Sequence, residues 1–329
     1  MKEFEYVRAG SVRQALAQVN GESDSRFLAG GTNLLDLMKY GVASADRLVD
    51  IAHLPLDKIE AVAHGGLRVG AMVRNSDLAA DPRIVADYPV LSQALLAGAS
   101  PQLRNLASTG GNLLQRTRCY YFYDNAFACN KRSPGSGCSA IDGVNRIHAV
   151  LGQSPSCIAV HPSDMAVAMA VIEAIVHVEG PQGPRSIPIL EFHRLPGDHP
   201  ERDTNLGKGE LIVAVELPVT PVLKRSGYVK VRDRNSYAFA LTSAAAALEL
   251  EGGQIKNARL ALGGVAHKPW RALEAEKLLI GKAPDARSFQ TCADAALEGA
   301  KGYKYNEFKI ELARRTIVRA FINIAGANA

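Results

Sequence analysis

The stretch 108–164 limits what this chain can fold into more than any other. It opens Ser-Thr-Gly-Gly-Asn, closes His-Pro-Ser-Asp, and holds four of the five cysteines: Cys119, Cys129, Cys138 and Cys157. Successive thiols are separated by nine, eight and eighteen residues, and the middle, 131–137, reads Lys-Arg-Ser-Pro-Gly-Ser-Gly. That composition is turn chemistry. Cysteines bracket it, so it is expected to be an ordered insertion rather than a linker.

Free cysteines usually sit in cores, so four on one polar loop point to a shared site. Zinc sites usually place two to four residues between the cysteines of a pair, and no such pair exists here. A cubane iron–sulfur cluster is larger and accepts thiolates from separated points of an irregular loop. Two disulfides in an oxidising compartment, or four unrelated buried thiols, remain open alternatives. A cluster held by four thiolates is anionic. Arg116, Arg118, Lys131, Arg132 and Arg146 are close in sequence and would offset it, or else form a solvated loop face. Cys292 stands alone on an expected helix and reads as core.

Two glycine pairs form the second signal: Gly30-Gly31-Thr32-Asn33 and Gly110-Gly111-Asn112, each followed by Leu-Leu. A glycine pair at the start of a helix lets backbone N–H groups approach a phosphate closely. One such pair is more often a plain turn. Two, one per lobe, could clamp a pyrophosphate, with Asn33 and Asn112 reaching a phosphate or capping the next helix. Gly135-Ser136-Gly137-Cys138-Ser139-Ala140 matches the dinucleotide fingerprint by letters, but no strand precedes it and no helical period follows.

The bulk numbers exclude several classes. At 329 residues, 47% hydrophobic and 22% charged, the chain has core for two or three domains. A net charge of +5 without a basic, aromatic-studded patch argues against nucleic acid. The start, Met-Lys-Glu-Phe-Glu, has no apolar run of a secretory signal. The longest apolar run, 165–178, is broken by Glu173 and His177 and is too short to span a bilayer. No membrane contact is expected.

Periodicity predicts strand, helix, strand, helix and strand over 4–7, 11–19, 26–29, 34–39 and 47–51. A hairpin follows at 59–73, then a buried helix at 91–97. After the cysteine stretch come a helix over 164–174, a hairpin over 175–189 and a strand over 210–217. Beyond Pro218, three strands (228–232, 240–250, 258–265) precede three helices (269–280, 289–299, 311–324). Strands first and helices after suggest an α+β domain.

The motifs Ala-Gly-Gly-Thr-Asn (29–33), Thr-Gly-Gly-Asn (109–112), His-Pro-Ser-Asp (161–164), Gly-Glu-Leu-Ile (209–212) and Lys-Val-Arg-Asp (230–233) occur in this order. Together they resemble the FAD-binding medium subunits of the xanthine dehydrogenase/molybdenum hydroxylase family, over almost the whole chain. Most members lack the cysteine loop. It resembles the loop of the FAD subunits of periplasmic aldehyde oxidoreductases, which carry an extra [4Fe-4S] cluster. Medium subunits of 4-hydroxybenzoyl-CoA reductases are the nearer competitor.

The resemblance implies an α+β fold. A two-lobed, PCMH-like FAD-binding domain (lobes 1–55 and 56–220, with the cluster loop at 115–160) would precede a C-terminal domain over 221–329, with a three-stranded sheet and helices. It implies FAD at Phe27, Leu28, Ala29, Gly30, Gly31, Thr32, Asn33, Leu34 and Leu35 in the first loop. Ser108, Thr109, Gly110, Gly111 and Asn112 would form the second. Asp164 would meet the adenosine half, Ile212 the adenine, Lys230 the flavin ring, and Tyr237 a loop near that ring. Asp164 could equally be a plain helix cap, and Lys230 a solvated strand residue. Cys119, Cys129, Cys138 and Cys157 would ligate the cluster.

A small [2Fe-2S] subunit and a large molybdenum subunit would complete a heterotrimeric aldehyde oxidoreductase. This chain would supply no catalytic residue of its own and would pass electrons from FAD to an external acceptor. The compartment would be periplasmic if a partner's twin-arginine signal exports the folded complex, and cytoplasmic otherwise. The alternatives are a xanthine dehydrogenase-like or 4-hydroxybenzoyl-CoA reductase-like subunit, a stand-alone NAD(P)H-dependent flavoprotein, or a zinc-stapled scaffold.

Overall fold

The computed structural model describes residues 1–21, 24–63 and 65–326; residues 327–329 of the last expected domain lie outside these. Strands Glu5–Arg8, Ser25–Leu28 and Arg47–Asp50 form a parallel sheet with the third in the centre. Parallel neighbours need crossovers, and helices Val12–Val19 and Leu34–Lys39 supply them. Ser11 is extended and its hydroxyl accepts from the Gln14 N–H at 3.2 Å, satisfying an orphan donor of the first turn.

A five-stranded antiparallel sheet follows, in the spatial order Ile59–Ala61, Leu67–Gly70, Leu211–Leu217, Ile175–Gly180, Gly183–Pro188. Its central strand comes from a distant segment. The first hairpin turns at Gly65 and Gly66, whose φ of 86° and 98° a side chain would resist.

Helix Asp164–Ile172 is the pivot of the molecule. All nine of its residues are buried. A helix enclosed on every side must be apolar all round, and Met-Ala-Val-Ala-Met-Ala-Val-Ile is. One continuous core runs from Val69 and Val215 through Met169 to Ala245 and Ala261. Ala245 and Ala247 keep the facing strand low enough for the helix to settle on it, while Ala244 and Ala246 face the other way, under the C-terminal helices. The helix stops at Glu173, whose φ of 62° is left-handed, and whose carboxylate takes Arg259 at 2.9 Å and Arg271 at 3.1 Å.

The third sheet is antiparallel: Trp270–Arg271, Gln254–Gly263, Thr242–Glu251, Ser226–Val231. Helices Leu273–Lys277, Ala286–Ala296 and Phe308–Ala325 pack with it, and Cys292 is core as expected. The fold is α+β, with four strands here rather than three. The segment expected as helix over 269–280 begins as a strand because Trp270 and Arg271 pair with Leu262 and Ala261. The Arg271 guanidinium is also tied to Glu276, to Glu173 and to the Ala170 carbonyl. These tertiary partners override the helical period until Leu273. Among the described residues no helix is long and apolar enough to cross a membrane.

The pivot helix is joined to the third sheet at its first residue. The Asp164 carboxylate accepts from Lys230 Nζ at 2.7 Å and from the Tyr228 hydroxyl at 2.6 Å. The paired side chains of Asp164 and Lys230 are 8% and 3% exposed. Removing one partner leaves the other charge buried alone, which costs roughly 3–5 kcal/mol. Lys230→Met is therefore expected to lower the melting temperature by well over 5 °C (~2–4 °C per kcal/mol at this size), and Asp164→Asn added to it should recover part of the loss. Thermal melting by circular dichroism checks this; a Lys230→Met protein melting within about 2 °C of the parent would contradict it.

A glycine-walled cleft beside a four-thiol loop

The two glycine loops meet across one cleft of about 1200 Å³, beyond the upper end of sites for drug-sized ligands. Of the eighteen expected flavin residues, fifteen line it. Leu28, Thr109 and Lys230 do not. Leu28 packs beneath the first lobe, the Thr109 hydroxyl donates to the Val73 carbonyl at 3.0 Å, and Lys230 is committed to Asp164 and the Ala97 carbonyl. Lys230 is thus neither a solvated residue nor part of the cleft wall.

The glycines are needed first by the protein. A Cβ on Gly30 would stand 2.1 Å from the Leu106 carbonyl oxygen, and one on Gly110 would stand 3.0 Å from Ala71 Cβ. Gly31 has φ +71°. At Gly111 an added Cβ would meet a single atom, the capping Ser108 Oγ at 2.9 Å, which the serine side chain would have to move to relieve. Close apposition of the two loops is therefore built into the fold.

The asparagines do more than expected of a cap. Asn33 makes no side-chain cap bond; its Oδ1 accepts the Arg116 N–H at 2.9 Å, tying the first loop to the segment after the second. Asn112 is fully engaged. Its amide donates to Asn75 Oδ1 at 2.6 Å, and its oxygen accepts from Ser163 and Gln115. Ser163, not Asp164, caps the pivot helix, accepting the Ala166 N–H at 2.9 Å. The Nδ2 donors of Asn33 and Asn75 are buried without a partner, and both residues line the cleft. An unpaired buried donor is costly, so the cleft offers two amides to an acceptor-rich ligand.

Several lining residues carried no sequence signal of their own. Asn75 is one. Arg26, Lys39, Arg104 and Arg234 are others; with Arg116 and Arg118, expected beside the thiols, they share the lining with Asp36, Asp164, Glu210 and Asp233: six cations to four acids, which suits a doubly anionic pyrophosphate. At one end stand Tyr237 and Phe239, both half-exposed. Arg118 stacks on Phe239 at 4.9 Å and Arg234 on Tyr237 at 5.6 Å. Among the described residues Tyr237 (φ 51°) and Ala99 (φ 50°) are two of the three non-glycine residues with positive φ, and both line the cleft. Such strain tends to collect at functional sites. These observations fit FAD.

The four loop thiols converge. Cys119, Cys129, Cys138 and Cys157 belong to one apolar cluster with Phe122 and Ile158, and none is in a disulfide. Cys129 and Cys138 face each other across a β-bridge, and Cys138 and Cys157 share a hydrogen bond that draws the Cys138 thiol down and holds Cys157 up. Burial pushes Cys119 up to about 12. Among the described residues no group of three or more His, Cys, Asp or Glu is arranged for a single metal ion.

The nearby cations have other partners. Arg116 and Lys131 pair with Asp203 at 2.6 and 2.5 Å, Arg146 with Asp233 at 2.6 Å, and Arg118 lies 3.7 Å from Asp36. Arg132 caps the carbonyls of Tyr121, Phe122 and Phe127. They are not a free cationic shell around the sulfurs.

Between cleft and loop lies a smaller cavity of about 260 Å³, bounded by His161, His193, His267 and Asp203. His161 and His193 are in edge-to-face contact at 4.2 Å. Burial holds all three imidazoles below their ordinary value, His193 and His267 at about 4. Burial works against ionised Asp203, but Lys131, Arg116 and His267 outweigh it and hold the carboxyl well below the usual carboxylate range.

Residues 2–220 match the family described as FAD binding domain in molybdopterin dehydrogenase, and 227–324 the CO dehydrogenase flavoprotein C-terminal domain. The chain belongs to the FAD-binding medium subunits of the molybdenum hydroxylases. It is 51% identical to the aldehyde oxidoreductase FAD-binding subunit PaoB of Escherichia coli K12, covering 96% of each chain. It is 31% identical to the glyceraldehyde dehydrogenase medium chain of Sulfolobus acidocaldarius, over 85% of this chain and 82% of that one. In structure it resembles a chain of quinoline 2-oxidoreductase from Pseudomonas putida 86, with TM-score 0.76, 26% identity, and 99% and 98% of the two chains covered. Members of this family bind FAD and act as oxidoreductase subunits.

The histidine cavity of this medium subunit makes its stability pH-dependent. A histidine held neutral in the fold has a depressed folded value, so its contribution is present above the unfolded value near 6.5 and is lost as pH falls through the folded value. For His193 and His267 that window is about 6.5 to 4. The melting temperature is expected to fall steadily from pH 7 to pH 4.5, and His193→Gln should make the slope shallower. A melting temperature flat across that range would overturn the assignment.

Proposed function

We propose that this chain is the FAD- and [4Fe-4S]-carrying electron-transfer subunit of a molybdenum-dependent aldehyde oxidoreductase. A small [2Fe-2S] subunit and a large molybdenum-cofactor subunit would complete it. The observation that supports this best is a pairing: one chain sets a cationic, glycine-walled cleft next to four convergent thiols. The aldehyde assignment rests on the 51% identity to a subunit named for that activity. The division into 1–55, 56–220 and 221–329 belongs to the same reading. So does export as a folded complex on a partner's signal, with a cytoplasmic complex as the alternative.

FAD, when bound, accepts electrons from partner centres and passes them to an external acceptor. This chain's residues hold and insulate it. Backbone at Gly30, Gly31, Gly110 and Gly111 would face the pyrophosphate, with Arg104 and Arg116 supplying charge. The free amides of Asn33 and Asn75 would meet acceptor oxygens. Tyr237 and Phe239 would shield the ring system from water. Cys119, Cys129, Cys138 and Cys157 would hold the cluster, and no residue of this chain would touch the aldehyde.

Two measurements test the reading. Gly111→Val adds bulk where the added Cβ meets only the Ser108 hydroxyl, so it is expected to lower flavin content at least several-fold, with a loss of stability no larger than that of Ser108→Ala, which removes the same cap without adding bulk; full flavin absorbance in a folded variant would remove the second loop from the site. Iron and sulfide analysis should give about four of each per chain beyond the partner's clusters, unchanged by Cys292→Ser and lost on Cys129→Ser. Stoichiometric zinc, or two disulfides by intact mass without iron, would refute the cluster and leave the flavin half standing.

A further inference from the structure

His148 and Lys309 are used by nothing described so far. His148 is 1% exposed and its Nε2 lies 3.1 Å from Cys119 Sγ. Its Nδ1 is buried without a partner, so Cys119 is the ring's one hydrogen-bond partner. The backbone of His148 is clamped: its carbonyl accepts from Asn306 at 3.2 Å and from Lys309 Nζ at 2.8 Å. Lys309 comes from the long C-terminal helix and is fully buried. It also donates to the Gly264 carbonyl at 2.6 Å. Among the described residues no carboxylate pairs with it. A buried charge without an anion is costly, and burial draws the Lys309 ammonium down to about 7, so what Lys309 brings is its hydrogen bonds to the two carbonyls rather than a fixed charge.

We propose that His148 and Lys309 raise the reduction potential of the thiol-bound cluster, His148 by donating its Nε2–H to Cys119 Sγ and Lys309 by anchoring the His148 carbonyl so that the imidazole keeps that contact. The proposal rests on the reading of the four thiols as [4Fe-4S] ligands. Reduction adds one electron from an external donor and breaks no iron–sulfur bond, so the reduced form is more negative. A hydrogen bond to a ligand sulfur favours the more negative form. His148 is a positioning and tuning residue, and the C-terminal domain thereby acts on a site in the FAD-binding domain.

The test uses the purified complex with its partners. Iron and sulfide are measured first, and then the midpoint potential of this chain's cluster by a dithionite titration followed by electron paramagnetic resonance. His148→Leu should keep its iron and shift the cluster to a lower potential. His148→Gln, which retains an N–H donor, should stay near the parent, and Lys309→Met should shift the same way as His148→Leu. The flavin potential should be unchanged in all three. If His148→Leu does not fold, Lys309→Met carries the measurement. Full iron with unchanged cluster potentials would overturn the proposal alone, whereas a parent complex with no iron on this chain would overturn the cluster reading beneath it.

Discussion

The buried pair of Asp164 and Lys230 is the interaction on which the arrangement depends. It sits where the pivot helix leaves the cleft wall and meets the third sheet. Its geometry is fixed on both sides, by Ser163 capping the helix and by the Tyr228 hydroxyl on the same carboxylate. Because neither charge can be left alone, the two domains cannot part without a large penalty. The cleft therefore keeps one shape, and its far wall, with Tyr237 and Phe239, is carried by the C-terminal part of the chain.

A second constraint acts within the FAD-binding part. The first glycine loop is pressed on the Leu106 carbonyl, and Asn33 and Asn112 are spent on cross-links rather than left pointing outward. The loops are preorganised by protein-to-protein hydrogen bonds, so a ligand meets a finished wall with only two free amides and a net positive lining. Preorganisation of this kind lowers the ordering cost of binding.

The cysteine loop follows the same logic. It has almost no regular structure, yet it is tied at many points: Lys131 to Asp203 and Pro200, Arg132 to three carbonyls, and Asn145 to Ala140, Ile141 and Tyr305. Cations that look available in sequence are consumed in building the loop. Among the described residues Lys309 is buried without a carboxylate partner, and it reaches His148 from 161 residues away.

By itself the sequence determined the elements whose signals are local. The Ser11 cap, the glycine turns and the apolar run of the pivot helix each act over a few residues, and the structure places all three as expected. Motif order was enough to identify the family, and the spacing of Cys119 to Cys157 marked one loop. What only tertiary structure decided were the partners. Lys230 is written as an exposed-looking strand residue and is buried because Asp164, 66 positions away, meets it. The helix expected from Pro269 gives way to a strand because Leu262 and Ala261 stand opposite. Asn75, Arg104 and His148 have no local signature at all. Their roles come from distances closed by the chain's path, and periodicity carries no information about such distances.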